Sequence, residues 1–131
     1  MGISEKAIAN HCGNHNCAQS VLCALEEYTH LPSADAKRIA AGFGAGMRCG
    51  EMCGAISGAI MAVGAACAVD GDGSPSGDMA AITRNLTGTF KEKYDYVRCS
   101  DLLRAAKEKR CDEFIGYCAG LAEQIILDNH S

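Results

Sequence analysis

From Cys53 to Val69 the chain runs seventeen residues without a charge or a proline, and most of its side chains are as small as side chains can be. Gly54, Ala55, Gly58, Ala59, Ala62, Gly64, Ala65, Ala66 and Ala68 leave almost no volume between one backbone and the next. A helix here lets neighbouring segments approach closely on several sides. The expected role is the buried central helix (53–69) of a small all-α domain, with a thiol at its first turn. Seventeen residues lie at the short limit for crossing a bilayer, and few of them are the large apolar residues that drive insertion. A core helix is therefore expected, with no membrane insertion.

The rest of the chain reads as helices packed around that element, about six or seven in all, because apolar positions recur at steps of three and four and no strand-like alternation appears. Ser4 is placed to cap a first helix running to about Cys12, which Gly13 to Asn16 then break. Asn16 is a good N-cap for a second helix, Cys17 to about His30, whose inner face is Ala18, Val21, Leu22, Leu25 and Tyr28. Ser33 is placed to cap a third, Ala34 to Phe43. Gly42, Gly44 and Gly46 follow a helix rather than open one, so C-capping and close packing explain them better than a phosphate cradle. Asp70 to Asp78 mimics the acidic spacing of a calcium loop but has Pro75 where the sharp turn needs Gly and Ala81 where the bidentate Glu belongs. It reads as a loop ending in an N-cap, Asp78. A helix from Met79 to about Lys93 carries Ile82, Leu86 and Phe90, and Ser100 is placed to cap a short helix, Asp101 to about Lys109. The last begins near Cys111 and aligns Phe114, Ile115, Cys118, Leu121, Ala122, Ile125 and Ile126. One domain, 1–131, accounts for the length.

Cysteine is the compositional outlier, with nine in 131 residues. Met1 to Lys6 shows no apolar export signal, so a cytoplasmic setting is expected, and there cysteines serve metal binding or redox work rather than a disulfide framework. A net charge of -4 and 5% aromatic residues give no case for nucleic acid. Helical rise then sorts the thiols. Cys67 lies roughly 21 Å along the axis from Cys53, Cys118 roughly 10 Å beyond Cys111, and Cys23 roughly 9 Å beyond Cys17 on another face. These three read as buried small hydrophobes. Cys17, Cys53, Cys99 and Cys111 each fall at the expected first turn of a different helix. Four helix N-termini converging on one point would bring unsatisfied N–H groups and positive dipole ends to bear on ionised sulfurs. Cys12 and Cys49 flank this set as possible extra ligands or resolving thiols. His11 and His15 sit beside Cys12 and Cys17, but the spacing is loose for a zinc knuckle and no second knuckle follows, so polar histidines in a turn are expected.

Asn16-Cys17-Ala18-Gln19, Gly42-Phe43-Gly44, Cys53-Gly54-Ala55-Ile56-Ser57-Gly58-Ala59, Cys99 with Leu102-Leu103, and Cys111 together resemble the C-GCAxxG-C-C family. Its members are small bacterial and archaeal proteins labelled redox-active, with four characteristic cysteines. Carried over by motif, those four are Cys17, Cys53, Cys99 and Cys111. The resemblance implies an iron–sulfur cluster site, since a similar domain is joined to a split-Soret type cytochrome with which a cluster is associated. This chain adds five further cysteines and lacks the Cys-x-x-Cys-His that attaches a c-type haem.

Three functions are then in play. Four thiolates suit an iron–sulfur cluster that serves in electron transfer to a partner protein. A metal-free dithiol/disulfide oxidoreductase would use a low-pKa thiolate such as Cys53, resolved by Cys49 or another neighbour. Sequestration of a soft metal, Zn or Cu, uses the same donors. The small residues of the central helix, Gly54 and Gly58 among them, also permit close contact within the chain or in a homodimer.

Overall fold

The computed structural model of the chain describes residues 2–67, 79–106 and 110–129. Eight α-helices follow in order: α1 Ile3–Cys12, α2 Cys17–Ala24, α3 Glu26–Thr29, α4 Ser33–Ile39, α5 Gly54–Cys67, α6 Met79–Tyr94, α7 Cys99–Ala105 and α8 Cys111–Asn129. Among the described residues the one β-type pairing is an isolated antiparallel bridge between Met52 and Arg98. The all-α bundle expected from the sequence is the architecture found. Residues 68–69 and 107–109 of two expected helices, and the whole 70–78 loop with its Asp78 cap, fall outside the described residues.

Helix α5 lies at the centre, packing most extensively on α2 and α8, while α1 closes over the same two. Gly54 to Ala59, Ala62 and Val63 are all buried. Among the described residues no helix is long and apolar enough to cross a membrane. The close approach that small residues allow is made inside the chain. A Cβ at Gly58 would stand 2.6 Å from the Ala18 carbonyl oxygen, and one at Gly54 would stand 3.0 Å from Cys17 Cβ. On the far side Cys118, Ile115, Ala119, Ala122 and Ile126 of α8 are fully buried, as the 3–4 spacing requires. Phe90 of α6 is also fully buried and meets Phe114 and Tyr94, with ring centroids 5.8 and 4.8 Å away.

Asn16 caps α2 as expected and does so reciprocally. Its side chain accepts from the Gln19 N–H at 2.8 Å, while Gln19 Oε1 accepts from the Asn16 N–H at 2.8 Å. Asn16 Nδ2 also donates to the carbonyls of Ala40 and Ala41, at 3.2 and 3.1 Å, tying α2 to the end of α4. Asn16→Ala is expected to cost about 1–2 kcal/mol in a urea titration. A change under about 0.5 kcal/mol would show that the cap is dispensable.

Other expected boundaries are corrected. Ser4 does not cap α1; the cap is Gly2, and the Ser4 hydroxyl donates 2.7 Å to the Gly116 carbonyl on α8. Ser33 and Ser100 lie inside α4 and α7, whose caps are Pro32 and Arg98, neither with a side-chain bond. The second helix breaks at Leu25, where φ is -100° and ψ 18°, and α3 ends at a left-handed His30. The third stops at Ile39 with Ala40, not glycine, as its C-cap, because the chain must turn back toward Asn16.

Candidate functional site

The segment between α4 and α5 is the least regular part of the described chain. Ala45, Gly46, Met47 and Arg48 stand one after another in the left-handed region, with φ of 53°, 62°, 59° and 62°. For the three that carry a Cβ this conformation costs roughly 1–2 kcal/mol each. The turn is closed by the Glu51 N–H donating 3.0 Å to the Gly46 carbonyl. Directly after it, residues 51–53 pair with 97–99. The Cys99 N–H donates 2.6 Å to the Glu51 carbonyl, and the Cys53 N–H donates 2.9 Å to the Val97 carbonyl. The Arg98 guanidinium grips the Glu51 carboxylate with two bonds of 3.1 Å. Cys53 and Cys99 are each one residue removed from the bridged pair Met52 and Arg98, so backbone alternation puts their side chains on the same face.

Two helix starts complete the constellation. Cys17 is the first residue of α2, held against α5 at Gly54, and Cys111 is the first residue of α8. The structure brings Cys17, Cys53, Cys99 and Cys111 together as walls of one pocket, finished by Ala45, Gly54, Leu102, Leu103 and Phe114. The pocket is tight, about 20 Å³, room for roughly one water. Among the described residues, no three His, Cys, Asp or Glu side chains are arranged as a ready-made site for a single metal ion.

The electrostatics oppose ionisation. Cys17 is pushed up by its hydrogen bond with Cys111, by burial, and by the neighbouring sulfurs of Cys111, Cys53 and Cys99. Cys53 is pushed up to about 11, mainly by burial, although the backbone N–H groups of Ala55 and Ile56 at the start of α5 pull the other way. This corrects the expectation of a low-pKa Cys53. Two helix-start amides act on the sulfur as anticipated, but burial, with the nearby thiols of Cys99 and Cys111, outweighs them. At pH 8 Cys53 is then almost wholly the neutral thiol. Iodoacetamide is accordingly expected to modify the exposed Cys12 and Cys49 first and the buried Cys53 and Cys118 last. Mass mapping over a time course checks that order, and early labelling of Cys53 would contradict it.

A family model described as "Putative redox-active protein (C_GCAxxG_C_C)" matches residues 15–125. The chain belongs to this family. No curated protein and no solved structure matches it.

In this member of the C_GCAxxG_C_C family, the central motif has a plain steric content. Gly54 and Gly58 let α5 lie against Cys17 and Ala18, which sets how near Cys53 stands to Cys17. The other five cysteines distribute as follows. Cys118 is fully buried, Cys23 is half-buried with its thiol 3.9 Å from the Ser33 carbonyl, and Cys67 is half-buried on α5. Cys12 and Cys49 are exposed and do not line the pocket, and the Cys49 thiol donates 3.5 Å to the Gly46 carbonyl. His11 is more than a turn histidine: its Nδ1 lies 2.7 Å from Asp112 Oδ1, joining the end of α1 to the start of α8 beside Cys111. His15 contacts the Gly13 carbonyl at 3.4 Å.

Sequence reasoning missed the left-handed turn, the Glu51–Arg98 grip and the apolar wall of Leu102 and Phe114. Alternate glycines at 44, 46 and 50 hinted at the turn. Nothing in the sequence pointed to a three-residue pairing across 46 positions.

Proposed function

We propose that the four thiols form a redox centre in which Cys17, Cys53, Cys99 and Cys111 hold an iron–sulfur cluster for electron transfer to a partner protein. The observation that carries this reading is the placing of four sulfurs, each at the start of a separate helix, around one pocket. Four cysteine sulfurs are the usual ligand set of such clusters, and a cluster bound there would supply reversible one-electron chemistry. The chain's own residues would set its environment. The Ala55 and Ile56 N–H groups point at the Cys53 sulfur and would offset negative charge on it. Leu102, Leu103 and Phe114 give the pocket apolar walls beside the sulfurs, which raises the cost of charge at the site. The Glu51–Arg98 grip holds the Cys53 and Cys99 segments in register.

A second reading puts a single soft ion such as Zn or Cu(I) on the same thiols, which would have to draw together to hold it, since no three of them stand ready for one ion among the described residues. One experiment decides. Protein purified without oxygen is expected to be brown and to contain iron and acid-labile sulfide, and Cys→Ser at 17, 53, 99 or 111 is expected to remove most of both. Cys23→Ser and Cys67→Ser should retain them. Stoichiometric zinc or copper without sulfide favours the single ion. A colourless, metal-free protein after anaerobic reconstitution sinks both.

A further inference from the structure

A second, larger cavity shares a wall with the thiol pocket. Leu102 and Phe114, each 4% exposed, line both, so these two side chains form the partition between them. The cavity holds about 380 Å³, within the roughly 300–1,000 Å³ of small-molecule sites, whereas the thiol pocket has room for roughly one water. A small organic molecule at this end of the bundle therefore sits beside the sulfurs, not among them.

The lining selects what fits. Phe114 and Tyr94 stand edge to face at 77° with ring centroids 4.9 Å apart, and Tyr96, 44% exposed, adds a third ring at the open side. Ala105 and Ala106 add little bulk opposite them. Such walls favour a flat, conjugated body. Among the described lining residues the cations Lys93 and Arg110 are matched by the anions Asp95 and Glu113, so a ligand with a full charge gains little net attraction. Arg110 is already engaged: its guanidinium makes two bonds to Glu113 and lies 5.5 and 5.8 Å over the Tyr94 and Phe114 rings. The Lys93 ammonium lies over Tyr94 and Tyr117, 5.6 and 5.0 Å from their centroids. Held there, it has N–H groups to donate to a carbonyl oxygen.

We propose that this cavity binds a small, flat, uncharged dicarbonyl compound of the quinone class, its ring against Tyr94, Tyr96 and Phe114 and one carbonyl oxygen accepting from Lys93. The redox-active class rests on the reading of the four thiols as a redox centre across the shared wall. The flat shape, the lack of charge and the oxygen acceptor rest on the cavity itself.

The test uses the full chain, purified without oxygen, and 2,3-dimethyl-1,4-naphthoquinone, whose methyl groups block addition of thiols to the ring. The chain has no Trp, and of its four Tyr residues Tyr94 and Tyr96 line the cavity and Tyr117 packs 5.5 Å from Tyr94, so tyrosine emission reports occupancy. Saturable quenching is expected. The quinone should bind at least about tenfold more tightly than 2,3-dimethylnaphthalene, which has the same body and no oxygen, and more tightly than the anion 2-naphthoate. Lys93→Met should remove most of that preference, Ala105→Phe should fill the cavity and abolish quenching, and Lys37→Met on α4 should change nothing. Tighter binding of 2-naphthoate, equal binding of the hydrocarbon, or quenching that both Lys93→Met and Ala105→Phe leave intact overturns the proposal. The three-ligand comparison is made on the unaltered chain, so a variant that fails to fold does not obscure it. Iron and sulfide content decides the cluster reading separately: a chain that carries both and shows no saturable quenching overturns this proposal alone, and a metal-free chain that binds the quinone overturns only the cluster.

Discussion

Gly46→Ala is expected to destabilise the protein by about 2–5 kcal/mol and to displace Cys99. Two independent costs add. Gly46 has φ of 62°, where any Cβ is strained, and its Cβ would stand 2.5 and 2.6 Å from the Glu51 carbonyl oxygen and nitrogen and 2.8 Å from Cys99 Cβ. None of those atoms is the loose end of a side chain. Two belong to the backbone that also accepts the Cys99 N–H, so relief must come from moving the segment that positions Cys99. The matched control is Ala45→Gly, next along the same turn. Ala45 is exposed and left-handed at φ 53°, so glycine there relieves strain while adding freedom to the unfolded chain, and the net effect should be within about 1 kcal/mol of zero. Urea titrations of both variants, with alkylation mapping of Cys99, check the pair. Equal stability changes in the two would refute the account of the turn.

Gly58→Ala should destabilise by about 1–3 kcal/mol, although the same change in an open helix position is worth up to about 1 kcal/mol of added stability. The reason is the Ala18 carbonyl oxygen, 2.6 Å from the added Cβ, with Ala18 Cα and Val21 Cβ each at 3.1 Å. Helix α2 would have to back away from α5, and Cys17 moves with it. Gly64 lies on the same helix two turns on, and a Cβ there meets nothing within 4 Å. Gly64→Ala is therefore expected to stabilise, which makes the contrast one of sign within a single helix. Denaturation midpoints at matched m-values measure it. Should Gly58→Ala also stabilise, α2 and α5 do not touch as closely as described.

The parts of this molecule that sequence reveals are those governed by local rules. The absence of charge from Cys53 to Val69 marks α5 because burial of a charge without a partner is costly enough to leave a visible gap. The apolar stripe of α8 from Phe114 to Ile126 follows from 3.6 residues per turn, and the Asn16–Gln19 box is written in four consecutive letters. Placing Cys17, Cys53, Cys99 and Cys111 at helix starts needed no more than this. What escaped was settled by contacts distant in sequence. Ser4 is a suitable cap, yet its hydroxyl does better on the Gly116 carbonyl, 112 positions away. Ala45, Met47 and Arg48 have no preference for the left-handed region; they are held there by hydrogen bonds at both ends of the turn. The pKa of Cys53 went the opposite way because the helix-start effect can be read locally, whereas the burial of the sulfur, and after it the nearness of Cys99 and Cys111, cannot.

The four thiols line the pocket from residues 17, 53, 99 and 111, separated by 36, 46 and 12 positions. A chain still emerging from the ribosome thus lacks the last thiol until residue 111 has been made, and α8 must dock before the pocket is closed. Anything gripped by all four has no counterpart on the unfolded chain and would act as a late clasp on the finished bundle, adding stability in proportion to how tightly it is held. Its loss would be felt as loosening of all four helices at once rather than as local fraying.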